Sequence, residues 1–183
     1  KECDWSSDVC SSDLAAVSPF IEEIAPTIEE YRDLLARPEV VGLGETYWGN
    51  LQRDDGRLHA LIEEVLQHGK LAEGHSAGAR GAKLQAYVCE GISSCHEPIT
   101  AEEGLQRLRL GLHFMIREGE IRQDLEAIAP LWKQPIDPRR MIMVTDSVGP
   151  ERLLDRGYLE HNLQRAIALG LDPVKALQMV TIN

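Results

Sequence analysis

Four residues of types that bind divalent metals each close a short apolar run of the chain. The runs VVGLG, LAEG, ISSC and MIMVT end at Glu45, His75, His96 and Asp146. Carboxylates and neutral imidazoles are ligands of hard-to-borderline divalent cations. A carboxylate beside such a cation can also accept the proton of a water molecule whose pKa the cation has lowered. The residue types therefore indicate metal-assisted hydrolysis.

The apolar runs have the composition of buried β-strands, and helical segments separate them. Each strand-plus-helix unit is roughly 20–30 residues long, as parallel βα units require. The carboxyl ends of parallel strands share one edge, so the four residues would lie together there. The predicted fold class is α/β, and five strands are too few to close a (β/α)8 barrel but suit an open doubly wound sheet. The five predicted strands are residues 40–45, 71–75, 92–96, 113–117 and 141–146.

Amphipathic periodicity predicts helices between and after these strands. The helix that begins at Thr100 carries a capping-box pattern, with Glu103 three residues later. The segments 46–55 and 76–81 are predicted to be loops, because they are rich in small or polar residues. The other predicted helices are residues 19–36, 58–67, 83–89, 120–131, 151–155, 159–169 and 172–180.

Composition bounds the class of protein. The 183 residues are 43% hydrophobic and 27% charged, enough for about one domain with a real core. The net charge of −11 argues against partners such as nucleic acid and anionic membrane. No apolar run approaches the roughly 18 residues of a membrane span, and no signal peptide is visible. We therefore predict a reduced, cytoplasmic protein.

The first fourteen residues, KECDWSSDVCSSDL, are polar and lack periodicity. They look like a translated sequencing adapter, so we predict that they are disordered and exclude them from the fold. Without Cys3 and Cys10, only Cys89 and Cys95 remain. Their spacing suits neither a zinc ribbon nor a disulfide scaffold. Cys95 is predicted to be a small core residue rather than a nucleophile.

Each candidate ligand also has a structural alternative. Glu45 could cap the helix after its loop, Asp146 could be the N-cap of the helix near residue 151, and His75 could bond to backbone. If all were structural, the chain would be a non-catalytic α/β binding module. Alanine at Glu45, His75 and His96 would then leave the metal content unchanged. The histidines predicted not to be ligands are His59, His68, His113 and His161.

The sequence resembles the adenine deaminase family of the amidohydrolase superfamily. The resemblance extends from about residue 28 to the last residue, nearly the whole chain after the adapter-like segment. The order of the matching words makes it specific. These words are VVGLGE (40–45), GHSAG (74–78), AYVCEGISSCHEPITAEE (86–103), MIREG (115–119), VTD (144–146) and LGLDPVKALQMVTIN (169–183).

The resemblance implies that residues 15–183 form part of a metal-dependent (β/α)8 TIM-type barrel, its strands four to eight. It implies that Glu45, His75, His96 and Asp146 bind metal and that Asp146 also shuttles a proton. Glu97 would protonate a purine ring nitrogen. The implied reaction is hydrolytic attack on C6 of adenine, which gives hypoxanthine and ammonia. The implied cofactor is a divalent metal, two ions per full-length chain, with Mn²⁺ or Fe²⁺ favoured and Zn²⁺ as an alternative.

Three further polar residues are predicted to bind substrate. Arg117 is the last residue of the one strand that ends without a candidate ligand, Glu118 comes next, and Ser147 follows Asp146. The partner they would contact is a small-molecule purine. We also predict that the full-length parent forms a homo-oligomer.

The chain departs from the family pattern at several positions. The HxH pair of strand one is absent, and Ser147 replaces a second acid. Cys95 replaces an aspartate, and Ala77 replaces a proline. These departures leave open an amidohydrolase that acts on a different purine or on a cyclic amide. Because family members continue past Asn183, we predict an internal fragment that is inactive by itself, with an active full-length parent.

Overall fold

The computed structural model describes residues 27–53 and 56–183. The chain divides into two compact units, the first ending at Ser94 and the second running from Cys95 to Asn183. Predictions for the adapter-like segment, for Cys3 and Cys10, for residues 19–26 of the first helix and for residues 54–55 of the first loop lie outside the described residues. Among the residues described, no helix is long and apolar enough to cross a membrane.

The first unit alternates helices with parallel strands. Its first two strands pair in parallel, and the second strand pairs in turn with the third. Four apolar residues of its longest helix recur at helical spacing and are buried, as the amphipathic pattern predicts: Leu58, Leu61, Ile62 and Val65. Its elements are α1 (Ile28–Leu35), β1 (Gly42–Tyr47), α2 (Trp48–Leu51), α3 (Arg57–Gln67), β2 (Leu71–His75), α4 (Gly81–Cys89) and β3 (Ile92–Cys95), whose last residue already belongs to the second unit.

The second unit also alternates strands with helices. Its two complete strands pair in parallel, with Phe114 opposite Met141 and Arg117 opposite Val144. Residues 114–117 are all buried, as expected of a strand covered on both faces. Its elements are α5 (Ala101–Arg109), β4 (His113–Arg117), α6 (Leu125–Ile128), β5 (Met141–Val144), α7 (Pro150–Arg156), α8 (Leu159–Ala168), α9 (Pro173–Met179) and the 3-10 turns Ala129–Lys133 and Pro138–Arg140.

The α/β class and all five predicted strands are confirmed, but the end of the first strand is corrected. Strand β1 does not stop at Glu45. Thr46 and Tyr47 continue it, because they pair with Gly74 and His75 of β2. The loop predicted after Glu45 also contains the short helix α2. Glu45 therefore lies inside a strand rather than at its end.

The helix predicted over residues 120–131 is wrong for most of its length. Only α6 is α-helical, and a 3-10 turn follows it. The segment before α6 folds back on itself, because Gly119 N donates to Arg122 O at 2.7 Å and Asp124 N donates to Arg117 O at 2.8 Å. Pro130 has no N–H to continue an α-helix. This local turn and the proline prevent the helix that the periodicity predicts.

The predicted start of α5 is confirmed. Thr100 is its N-cap, and its hydroxyl oxygen accepts from Glu103 N at 3.3 Å. The carboxylate of Glu103 reaches back to accept from Ile99 N at 3.1 Å. The helix that follows β3 therefore begins at a fixed residue, soon after His96 and Glu97.

Candidate functional site

A bulge in β1 sets the direction of Glu45. Leu43 pairs with Ala72 and Thr46 pairs with Gly74, so Gly44 and Glu45 together oppose the single residue Glu73. An extra residue of this kind breaks the alternation of side chains along a strand and redirects one of them. The helix after the predicted loop, α3, has Gly56 as its N-cap and no side-chain hydrogen bond there, so Glu45 does not cap it.

Glu45 and His75 are brought together within the first unit. The Oε1 atom of Glu45 lies 2.5 Å from Nδ1 of His75, and the two side chains are 20% and 28% exposed. His75 is the last residue of β2, as predicted. The ring of Tyr47 packs edge-on against the imidazole, with the ring centroids 5.4 Å apart. Two of the predicted ligands therefore form a partly shielded carboxylate–imidazole pair.

Tyr87 of α4 ties the two strands together beside this pair. Its hydroxyl accepts a hydrogen bond from His75 N at 2.9 Å and donates to the carbonyl of Thr46. A Cβ on Gly74 would lie 2.4 Å from that hydroxyl oxygen, so glycine leaves room for the tyrosine. The hydroxyl therefore links the carbonyl of Thr46, just after the bulge in β1, to the amide of His75 at the end of β2.

We expect Tyr87→Phe to weaken this end of the β1–β2 pair. The substitution leaves a partly buried N–H and a buried carbonyl without the hydroxyl, a loss of about 1–3 kcal/mol in the free energy of unfolding. Amide hydrogen exchange should speed up at His75. The amide of Leu71, which donates to Val41 O at 3.2 Å, is the internal control and should keep its rate. Unchanged exchange at His75 would contradict the bridging role.

Trp48 connects the loop after β2 to the start of α2. Its indole N–H donates to Ala77 O at 2.6 Å, and Lys83 Nζ lies 5.4 Å from the ring centroid. Sequence reasoning missed Tyr47, Trp48 and Tyr87. A signal was present for the first two, because aromatic residues are scarce in this chain and two of them stand directly after Glu45 and Thr46.

His96 and Glu97 are the first candidate site residues of the second unit. They follow β3, and His96 Nε2 lies 3.3 Å from Glu97 Oε1. Their side chains are 12% and 13% exposed. Cys95, just before them, is fully buried, and its sulfur accepts a hydrogen bond from Glu97 N at 3.4 Å. A second imidazole–carboxylate pair is therefore present, with Cys95 packed beneath it.

Asp146 lies two residues beyond β5, in a turn of unusual backbone conformation. Asp146 and Ser147 have φ angles of 47° and 70°, in the left-handed region that few non-glycine residues adopt. Two backbone bonds hold the turn, from Glu118 N to Val144 O at 2.9 Å and from Glu120 N to Ser147 O at 3.1 Å. The N-cap of α7 is Gly149, so Asp146 is not that helix's cap.

Arg117 connects Asp146 to Glu97. Its Nη1 atom donates to Glu97 Oε1 at 2.7 Å and to Asp146 Oδ2 at 3.2 Å. Its Nε atom lies 3.4 Å from Asp124 Oδ2. Burial raises the pKa of the Asp124 carboxyl, although the charges of Arg117 and Arg122 oppose that rise. The second unit therefore gathers Glu97, Arg117 and Asp146 into one network.

Glu118 points into the second unit and contacts its packing elements. Its Oε1 atom lies 2.8 Å from Arg165 Nε, and its Oε2 atom accepts from Leu125 N at 3.2 Å. The side chain is 1% exposed. Burial raises the pKa of the Glu118 carboxyl, and the hydrogen bond from Leu125 and the charge of Arg165 oppose this only in part. Glu118 thus joins β4 to α6 and α8.

We expect Glu118→Gln to remove part of the pH dependence of stability. Because the folded-state pKa of Glu118 is raised, the folded chain binds more protons than the unfolded chain above about pH 4.5. Stability should therefore fall as pH rises from that value through the raised folded pKa. Urea unfolding at several pH values should show a shallower fall for the variant. Glu126→Gln, which changes the 77% exposed partner of the same Arg165, should keep the wild-type slope. An equal slope in Glu118→Gln would contradict the expectation.

The donor atoms in each unit fit a divalent cation. Each unit holds one imidazole nitrogen beside one carboxylate oxygen, at 2.5 Å in the first and 3.3 Å in the second. Around Arg117, three carboxylates face a single guanidinium, which favours an added positive charge. Of the histidines predicted not to be ligands, His59 pairs with Glu90 and His68 with Glu64.

Several curated proteins that are similar to this chain carry one name, adenine deaminase. No family model matches the chain. An adenine deaminase of Cenarchaeum symbiosum (strain A) is 42% identical over 157 residues, which are 85% of this chain and 26% of that protein. Adenine deaminases of Deinococcus deserti and Rubrobacter xylanophilus are 42% and 38% identical, over 84% and 92% of this chain and 27% of each relative. The resemblance to the adenine deaminase family is confirmed. The chain spans about a quarter of the length of these adenine deaminases.

Proposed function

We propose that the full-length protein is a hydrolase of C–N bonds that deaminates adenine to hypoxanthine and ammonia. The observation that carries the proposal is the similarity to adenine deaminases, 36–42% identical over most of this chain. We also propose that the two α/β units are strands four to eight of a (β/α)8 barrel, which agrees with the parallel pairing in each unit. Cytoplasmic location and a homo-oligomeric parent stay predictions.

We propose that Glu45, His75, His96 and Asp146 hold divalent cations, two per full-length chain. The imidazole–carboxylate pair in each unit supports this assignment, since these donors suit Mn²⁺, Fe²⁺ or Zn²⁺. A bound divalent cation would supply Lewis acidity, which makes water acidic enough to react near neutral pH. The redirected Glu45 and the strand-terminal His75 would form the first unit's share of the ligands.

The chain's own carboxylates would move the protons. We propose that Asp146 accepts a proton from the attacking water and that Glu97 delivers one to a purine ring nitrogen. Both side chains are mostly buried and are held by the same Arg117 nitrogen, so their orientations are restricted. General acid–base groups positioned in this way contribute about 10²–10⁴-fold to a rate. Ser147 and Glu118 are the proposed substrate-binding residues, although Glu118 has both oxygens in contact with Arg165 and Leu125. Arg117, also predicted to bind substrate, instead contacts Glu97 and Asp146.

A second candidate is an amidohydrolase that acts on a different purine or on a cyclic amide. Ser147, Cys95 and Ala77 favour it, because each replaces a residue typical of the family pattern. The backbone carbonyl of Ala77 accepts the indole hydrogen bond of Trp48, a bond that any residue at this position could accept. The two candidates share the metal ligands and differ in their substrate.

The test is metal content, ammonia release and substrate consumption by the full-length protein expressed from its source gene. Adenine deamination with bound metal, both lost in His75→Ala and kept in the exposed control His59→Ala, would support the first candidate. Bound metal with activity only on other purines or cyclic amides would favour the second. Absence of metal, or a metal content that alanine at Glu45, His75 and His96 leaves unchanged, would favour a binding module.

A further inference from the structure

Arg117 is a buried cation of the candidate site. It ends β4 and is only 5% exposed. Its guanidinium faces three carboxylates, those of Glu97, Asp146 and Asp124. Burial of a cation is tolerated when hydrogen-bonded partners of opposite charge surround it. The three carboxylates therefore compensate the buried charge of Arg117.

One nitrogen of Arg117 serves two carboxylates from distant parts of the second unit. Nη1 donates to Glu97 Oε1 at 2.7 Å and to Asp146 Oδ2 at 3.2 Å. Glu97 follows β3, whereas Asp146 lies in the left-handed turn after β5. Because both oxygens accept from the same atom, neither carboxylate can rotate away without losing a charge-assisted bond.

The other side of the guanidinium makes an ion pair but no hydrogen bond, because Nε and Nη2 have no hydrogen-bond partner among the described residues. Nε lies 3.4 Å from Asp124 Oδ2, and Asp124 N donates to Arg117 O at 2.8 Å. The planar fork of an arginine can face Asp124 and the other two carboxylates at once, whereas a lysine ammonium is a single point charge on a flexible stem. Asp124 therefore contacts both the backbone and the side chain of Arg117.

We propose that Arg117 is a positioning residue that sets the relative placement of Glu97 and Asp146. This inference rests on the proposed function, in which those two carboxylates move protons. It differs from a substrate-binding role, because Arg117 acts through side chains that it already contacts. Misplacement of such groups by about 1 Å can cost on the order of 10²-fold in rate.

The test compares Arg117→Lys and Arg117→Met with wild type in the full-length protein, with the exposed Arg139→Met as the matched control. Arg139 is 81% exposed and pairs with Asp137. A positioning role predicts a kcat lower by about 10–100-fold in Arg117→Met, partial recovery in Arg117→Lys, and a KM that changes by less than about threefold. Mn²⁺ affinity, measured by electron paramagnetic resonance, should fall by about 10–100-fold, since Asp146 is a proposed ligand. A raised KM with unchanged kcat would overturn the proposal in favour of substrate binding.

Crystal structures of wild type and Arg117→Lys give a readout that does not need adenine activity. Displaced carboxylates at Glu97 and Asp146, with the rest of the unit unchanged, are expected. Side chains that stay in place would overturn the positioning role. If wild type fails to deaminate adenine, the proposed function fails, and this comparison still decides the inference.

Discussion

Replacing Asp146 with asparagine should lower kcat of the full-length protein by about 10²–10⁴-fold, the range that general acid–base groups contribute. Asparagine has nearly the shape of aspartate and tolerates the left-handed backbone found at this position. It cannot accept a proton from water, and it presents a neutral oxygen to Arg117. The measurement is steady-state ammonia release from adenine, together with metal content.

The control for Asp146→Asn is Asp155→Asn, at an 80% exposed side chain near the end of α7. It makes the same chemical change in the same unit and should leave kcat unaltered. An Asp146→Asn protein that keeps kcat within about twofold of wild type would remove Asp146 from the proton-transfer role.

Replacing Gly119 with alanine should destabilise the chain and misplace Asp146. A Cβ at this position would lie 1.9 Å from Thr145 O and 3.0 Å from Asp146 O, both backbone atoms. Moving either oxygen strains the two bonds that hold the Asp146 turn. Overpacking of this kind costs about 1–3 kcal/mol, to be measured by urea unfolding. The displacement should also lower kcat of the full-length protein by on the order of 10²-fold.

Gly170→Ala separates the two effects expected at Gly119. Gly170 has a φ of 95°, and a Cβ there would meet no heavy atom of the described residues within 4 Å, apart from its chain neighbours. Alanine at this position therefore costs only backbone strain, about 1–2 kcal/mol. It should destabilise the chain without changing kcat. A Gly119→Ala protein with wild-type kcat would show that the turn does not depend on this close approach.

The sequence was sufficient to predict the strands and the two histidines. Short apolar runs indicate buried strands. His75 and His96 come directly after two of these runs, where polar residues begin. The structure ends β2 at His75 and β3 just before His96. Both positions depend only on local hydrophobic pattern, which is why they could be predicted.

Positions that depend on pairing between segments were not predictable in this way. The bulge at Glu45 is visible only once β1 is in register with β2. The left-handed turn at Asp146 is held by backbone bonds from residues after β4, far away in sequence. The false helix over residues 120–131 has the same origin, because Asp124 and Gly119 bond to neighbours that periodicity does not reveal.

The ion-pair network around Arg117 was also beyond sequence reasoning. Arg117 was expected to contact substrate simply because it is polar and ends a strand. Its three carboxylate neighbours come from different segments, and only their three-dimensional arrangement shows that the guanidinium is already surrounded. The positions of charged residues in a sequence do not show which of them form ion pairs in the folded chain.

The extra residue in β1 also makes this strand sensitive to changes in length. Loss of Gly44 would leave one residue opposite Glu73 and restore a regular ladder. Side chains alternate between the two faces of a regular strand. Without the extra residue, the direction of the Glu45 side chain would be set by this alternation and no longer by the bulge. A single-codon deletion could therefore separate Glu45 from His75 while conserving every candidate ligand in the sequence. Related genes that keep all these ligands but differ in length at this point need not share the chemistry.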